Sequence, residues 1–97
     1  MSKLESKFQS NLIKELKVEY PGCFITKLDS GLTQGIPDLL ILYKDKWGCL
    51  EVKREAKAKH QPNQDYYVDR LNQMGFARFI HPENREEVLN DLRDYLK

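Results

Sequence analysis

The apolar positions first recur at helical spacing. Leu4, Phe8, Leu12, Ile13 and Leu16 return every three or four residues and predict a helix over Ser2–Glu19. Ser2 followed by Glu5 has the form of a capping box, and Tyr20-Pro21-Gly22 ends the helix. The period then shortens. Cys23–Leu28 alternates and predicts a strand, and the next seven residues, DSGLTQG, are rich in turn formers. Asp38–Tyr43 is almost unbroken apolar sequence, the mark of a strand covered on both faces. Lys44-Asp45-Lys46 predicts a hairpin turn of about three residues, and Trp47–Lys53 the returning strand. Arg54–Gln61 is basic and polar. A second helix opens at Pro62 or Asn63 and runs to Met74, with Tyr67, Leu71 and Met74 on its apolar face and Gly75 as its stop. Phe76–Ile80 predicts a last strand. Pro82–Leu96 predicts a last helix, with Val88, Leu89, Leu92 and Leu96 turned inward. The order αβββαβα predicts an α/β fold, a three-layer sandwich with a small mixed sheet flanked by helices.

Length and charge narrow this picture. The 97 residues are expected to form one domain, 1–97, with a single thin core. A net charge of +1 excludes attraction to nucleic acid through bulk charge, so any such site must come from clustering. Lys53, Arg54, Lys57 and Lys59 do cluster. Cys23 and Cys49 lie in apolar surroundings, with no Cys or His at zinc-ligand spacing. They read as buried, reduced thiols of a cytoplasmic protein. No apolar run reaches membrane-spanning length, so no membrane partner is expected.

The chemistry lies where a core should be. Asp38 opens one predicted strand. Glu51 stands within the next, and Lys53 follows two residues later, on the same face, while Val52 points away. A hairpin brings Asp38 and Glu51 toward one end of that face. A structural account takes Glu51 and Lys53 as an ion pair and Asp38 as a turn residue. A functional account starts from the charge balance, because two acids and one base leave a negative pocket that favours a cation. Carboxylate oxygens suit Mg²⁺, and a neighbouring lysine can orient a water or stabilise charge on a phosphate.

These residues carry a resemblance. Gly35-Ile36-Pro37-Asp38-Leu39 followed by an apolar strand, then Leu50-Glu51-Val52-Lys53-Arg54, resembles the signature of the PD-(D/E)XK, or restriction-endonuclease-like, nucleases. Gln64, Tyr67, Leu71 and Gly75 after a basic loop, with Glu5 and Phe8-Gln9 at the start, are similar to the minimal stand-alone form of its VRR-NUC branch. The likeness runs from Glu5 to about Ile80. It implies a restriction-endonuclease-like sandwich and a Mg²⁺- or Mn²⁺-dependent endodeoxyribonuclease that hydrolyses phosphodiester bonds. Asp38 and Glu51 would be metal ligands, with the Val52 carbonyl as a further oxygen. Lys53 would be the catalytic lysine, and Gln64 would lie beside the site.

The family also takes an acid from its first helix. Glu5, Glu15 and Glu19 all project beside the apolar arc; Glu5 matches the spacing to Gln9, and Glu15 is the alternative. Arg54, Lys57 and Lys59 form a candidate phosphate track, and Tyr66 is a candidate for base stacking. Ser30, Thr33 and Gln34 lie where a nucleic-acid backbone could be touched. His60 and His81 read as polar loop and turn residues. The resemblance implies branched DNA, as in Holliday-junction resolution and DNA repair, a homodimer, and a bacterial or phage-infected bacterial cell. A non-catalytic nucleic-acid-binding module on the same fold, and a nuclease for flap or nicked DNA or for RNA, remain the competing readings.

Overall fold

In the computed structural model, which describes residues 2–97, Ser2 caps the first helix as the sequence predicts. Its Oγ accepts the Glu5 amide at 3.1 Å. Helix α1 spans Lys3–Glu19, and the Tyr20 amide closes it on the Leu16 carbonyl. Strands β1 (Phe24–Lys27), β2 (Leu39–Tyr43) and β3 (Lys46–Val52) follow, then α2 (Gln64–Met74), β4 (Ala77–Ile80) and α3 (Arg85–Leu96). The sheet order is β1-β2-β3-β4. The first three strands are antiparallel. Strand β4 runs parallel to β3, and the parallel pairing requires the crossover that α2 supplies. Tyr43 pairs with Lys46, so the hairpin turn holds two residues rather than three, and Lys44 takes a left-handed φ of 57° to close it.

Alternation along the strands divides the core in two. Leu39, Ile41, Leu50, Val52 and Ile80 pack with Leu12 and Leu16 of α1 and with Val88, Leu92 and Leu96 of α3. Cys49, Ala77, Leu40, Trp47 and Phe79 pack with Val68 and Leu71 of α2. The mixed sheet therefore has helices on both faces. Each fully buried aliphatic side chain contributes about 1.5–3 kcal/mol, so the larger α1/α3 side carries most of the stability. Among the described residues, no helix is long and apolar enough to cross a membrane.

The helix faces differ from the predicted ones in three places. Helix α3 begins at Arg85, not Pro82, because Asn84 is used in a turn: its Oδ1 accepts the His81 amide at 2.9 Å and its Nδ2 donates to the Phe79 carbonyl. Leu4 is 73% exposed in the first turn of α1. Met74 is 61% exposed at the end of α2, whose inward stripe runs through Val68 and Leu71 instead. Cys49 is buried, whereas Cys23 is only half-buried.

One glycine locks the region around the acids. Gly35 has φ +92°, and a Cβ there would lie 2.7 Å from the Asn63 carbonyl carbon. It lets the loop before Asp38 press against the segment that leads into α2. Gly35→Ala should therefore cost about 2 kcal/mol or more, from strain and backbone clash together, read as a lower urea midpoint.

Candidate active site

Asp38 and Glu51 are cross-strand neighbours. Leu39 pairs with Leu50, so the antiparallel register continues with Asp38 opposite Glu51. Asp38 is held from both sides. Its carbonyl accepts the Leu28 amide at 2.9 Å, and its Oδ2 accepts the Val52 amide at 2.9 Å. Val52 itself is buried on the α1/α3 side, so Glu51 and Lys53 project to the α2 side as the alternation predicts. They are 3% and 6% exposed. The Lys53 amide donates to the Ile80 carbonyl, which fixes the end of β3 to β4.

Gln64, the first residue of α2, ties the two charges together. Its Nε2 donates to Glu51 Oε2 at 3.0 Å. Its Oε1 accepts Lys53 Nζ at 2.6 Å and the Gln61 amide at 2.8 Å. Lys53 Nζ also donates to the Lys59 carbonyl at 3.1 Å and stands 3.8 Å from Glu51 Oε2. Two of the three ammonium hydrogens are thereby committed.

Lys53 does not neutralise the acids. Burial pushes the Glu51 carboxyl up to about 8, and the Asp38 charge pushes the same way. The Lys53 ammonium pulls it down and is outweighed, while the Glu5 charge adds a smaller upward effect. Glu51 Oε1 is buried with no hydrogen-bond partner. A carboxylate buried in this state is costly unless a proton or a cation compensates it. Above these groups opens a cleft of about 510 Å³, lined by Glu5, Asp38, Glu51, Lys53 and Gln64 together with Arg54 and Lys59.

No match to this chain is found among family models, curated proteins or solved structures. Function is therefore argued from the cleft itself.

The donor set fits a hard divalent cation. Asp38 and Glu51 present carboxylate oxygens in one cleft, and Glu51 Oε1 is without a partner. Mg²⁺ is commonly held by one or two carboxylates with the remaining positions filled by water and substrate phosphate. Among the described residues, no three His, Cys, Asp or Glu side chains are gathered into a closed metal cluster. Glu5 thus lines the cleft without completing a three-carboxylate set.

The remaining predicted residues divide by position. Arg54 and Lys59 line the cleft as exposed cations, whereas Lys57 is exposed but outside its lining. Tyr66 is 62% exposed and also outside the lining, its ring edge-on to Tyr67 at 5.1 Å. Glu15, the alternative helix acid, pairs with Arg85 of α3, and Glu19 pairs with Arg93 at 2.7 Å. His60 stacks on Phe79 at 4.1 Å, with Nδ1 2.8 Å from Asp65 Oδ1. The sequence reading missed the Lys59 carbonyl and the Gln61 amide, because backbone groups leave no residue-type signal. It also missed that Gln9 is buried with its Nε2 unpartnered.

Proposed function

We propose that this chain is a divalent-metal-dependent endodeoxyribonuclease with a restriction-endonuclease-like fold, of the VRR-NUC kind, acting on branched DNA as a homodimer. The observation that carries this reading is the half-buried Asp38 opposite the buried Glu51, with Lys53 held by Gln64 in the same cleft. A purely structural ion pair would leave a buried acid–base pair near balance. Here a second acid stands against the first, and one oxygen is left unpaired. Sites that hold charge at such cost are enriched in function.

Asp38 and Glu51 would hold the cation, and the Val52 carbonyl lies on the same stretch of β3. When bound, the cation supplies Lewis-acid stabilisation of a phosphoryl oxygen and of a nucleophilic water. Lys53 directs its ammonium into the cleft, where its remaining hydrogen can bond a phosphate oxygen as negative charge develops. Gln64 fixes that ammonium and the Glu51 carboxyl relative to each other, so neither has to reorganise during the reaction. Arg54 and Lys59 supply exposed cations for the flanking phosphates. A two-fold pair of such clefts would present two sites to opposed strands of a symmetric junction.

Labelled four-way junction, flap, nicked duplex, linear duplex and RNA should be incubated with the protein in Mg²⁺, Mn²⁺ and EDTA, alongside sedimentation of the free protein. Metal-dependent cutting confined to the junction, by a dimer, is the expected result. Cutting of flap or nicked DNA instead would remove the junction specificity and keep the nuclease. Junction binding with no cutting of any substrate would replace the enzyme with a binding module.

A further inference from the structure

A second cleft adjoins the first. It measures about 520 Å³ and shares Asp38, Gln61 and Gln64 with the acidic cleft; its other wall is the loop before β2, with Ser30, Gln34 and Gly35. Among the described residues, Asp38 is the only charged one lining it. The acidic cleft, by contrast, contains Lys53, Arg54 and Lys59. The two spaces thus differ in chemistry. The first suits a phosphate and its counter-charges. The second lacks a cation for a phosphate, but its hydroxyl and amides offer both donors and acceptors, the groups that read base edges and sugars.

The loop that makes this wall is built in one shape. Asp29 Oδ1 accepts the Gly31 amide at 2.8 Å, the Asp29 carbonyl accepts the Leu32 amide at 3.2 Å, and the Ile36 amide returns to Thr33. Gly35 seats the loop on Pro62 and Asn63. On that support Leu32 is 87% exposed. A lone exposed leucine needs no explanation. This one stands on the loop that walls a polar cleft beside the acids, outside the cleft's own lining, where an apolar side chain can wedge against the neighbour of an unstacked base.

The geometry points to the second cleft as the seat of one unstacked nucleotide next to the scissile phosphate, with Gln34 and Gln61 contacting its base and Leu32 holding its neighbour apart. Its size lies within the range of small-ligand sites, roughly 300–1,000 Å³. This assignment rests on the nuclease reading above and adds a specificity site to it. Gln64, shared by both clefts, would couple the seated nucleotide to Lys53 and Glu51.

The test pairs protein and DNA changes. Cleavage in Mg²⁺ is measured for wild type, Leu32→Ala, Gln34→Ala and Lys57→Ala, on the substrate that wild type cuts best. An abasic residue is placed in turn at each position flanking the cut. Leu32 and Gln34 are both exposed, so urea midpoints should match wild type. The expected result is a fall of about tenfold in kcat/KM for Leu32→Ala and for Gln34→Ala on intact DNA. An abasic residue at one flanking position should slow wild type similarly and should remove the extra loss in both variants. Lys57→Ala should show no such coupling. Binding to DNA with 2-aminopurine at that position should raise its fluorescence with wild type, and less with Leu32→Ala. Cutting that is indifferent to Leu32 and Gln34, or losses that simply multiply at every position, overturns the nucleotide seat and leaves the nuclease standing. No cutting of any DNA overturns the nuclease reading, and the seat falls with it.

Discussion

Glu51→Gln is expected to make the metal-free protein more stable at pH 9 while removing DNA cutting on the order of a thousandfold. The stability half follows from proton linkage. An ordinary glutamate titrates near 4.5, and Glu51 in the fold near 8. Between those values the native state keeps a proton that the unfolded chain has lost. Stability from this group is therefore full below about pH 4.5 and is lost as pH rises toward 8. The loss by pH 9 is on the order of 4 kcal/mol, from a shift of a few pH units at about 1.4 kcal/mol each. Glutamine mimics the protonated form. Its carbonyl can keep the bond from Gln64 Nε2, and its amide can donate toward Asp38. Urea midpoints in EDTA should nearly coincide at pH 5 and separate with rising pH, the variant being higher. Equal midpoints at pH 9 would mean that Glu51 is not held against its charge. Mg²⁺ at pH 8 should raise the wild-type midpoint through ligand linkage and leave Glu51→Gln unmoved.

Lys53→Met should separate holding the cation from using it. Methionine keeps an unbranched apolar stem in a site where Lys53 is 6% exposed. The charge is gone, so cutting should fall by about 100- to 1,000-fold. Mg²⁺ should still stabilise this variant, because Asp38 and Glu51 are intact. In EDTA the variant should be weaker than wild type by about 3 kcal/mol at pH 9, since Glu51 loses the ammonium charge that lowers its pKa. At pH 5, with Glu51 protonated, much of that difference should disappear. A variant that cuts at the wild-type rate would remove Lys53 from the chemistry. One that cuts slowly and also loses the Mg²⁺ effect would instead mark Lys53 as a structural support for the acids.

Much of the fold was legible because hydrophobic period changes at each boundary. The unbroken run at Leu39–Tyr43 is a central strand between β1 and β3, and all seven elements occur in the predicted order. Errors came where tertiary contacts replace periodicity. Leu4 and Met74 have helical spacing but sit at helix ends, exposed; Asn84 turns the chain before α3 can start. Within the cleft, Asp38, Glu51 and Lys53 could be brought together on paper, since a two-residue spacing shares a strand face and a hairpin fixes the register. Gln64 was attached only through a motif, and the reason for its position, a bridge between Glu51 and Lys53, required coordinates. The Lys59 carbonyl could not have been read at all. Lys57 and Tyr66 were selected for type and exposure, which do not say which way a loop or a helix turn faces.

The most direct test of the account is to soak crystals of the protein at pH 8 in Mn²⁺ and collect anomalous diffraction. An anomalous peak between Asp38 and Glu51, about 2.2 Å from a carboxylate oxygen of each and missing in Glu51→Gln, is the predicted result. Ordered crystals that bind Mn²⁺ only elsewhere on the surface, with the Asp38–Glu51 gap empty, would contradict it.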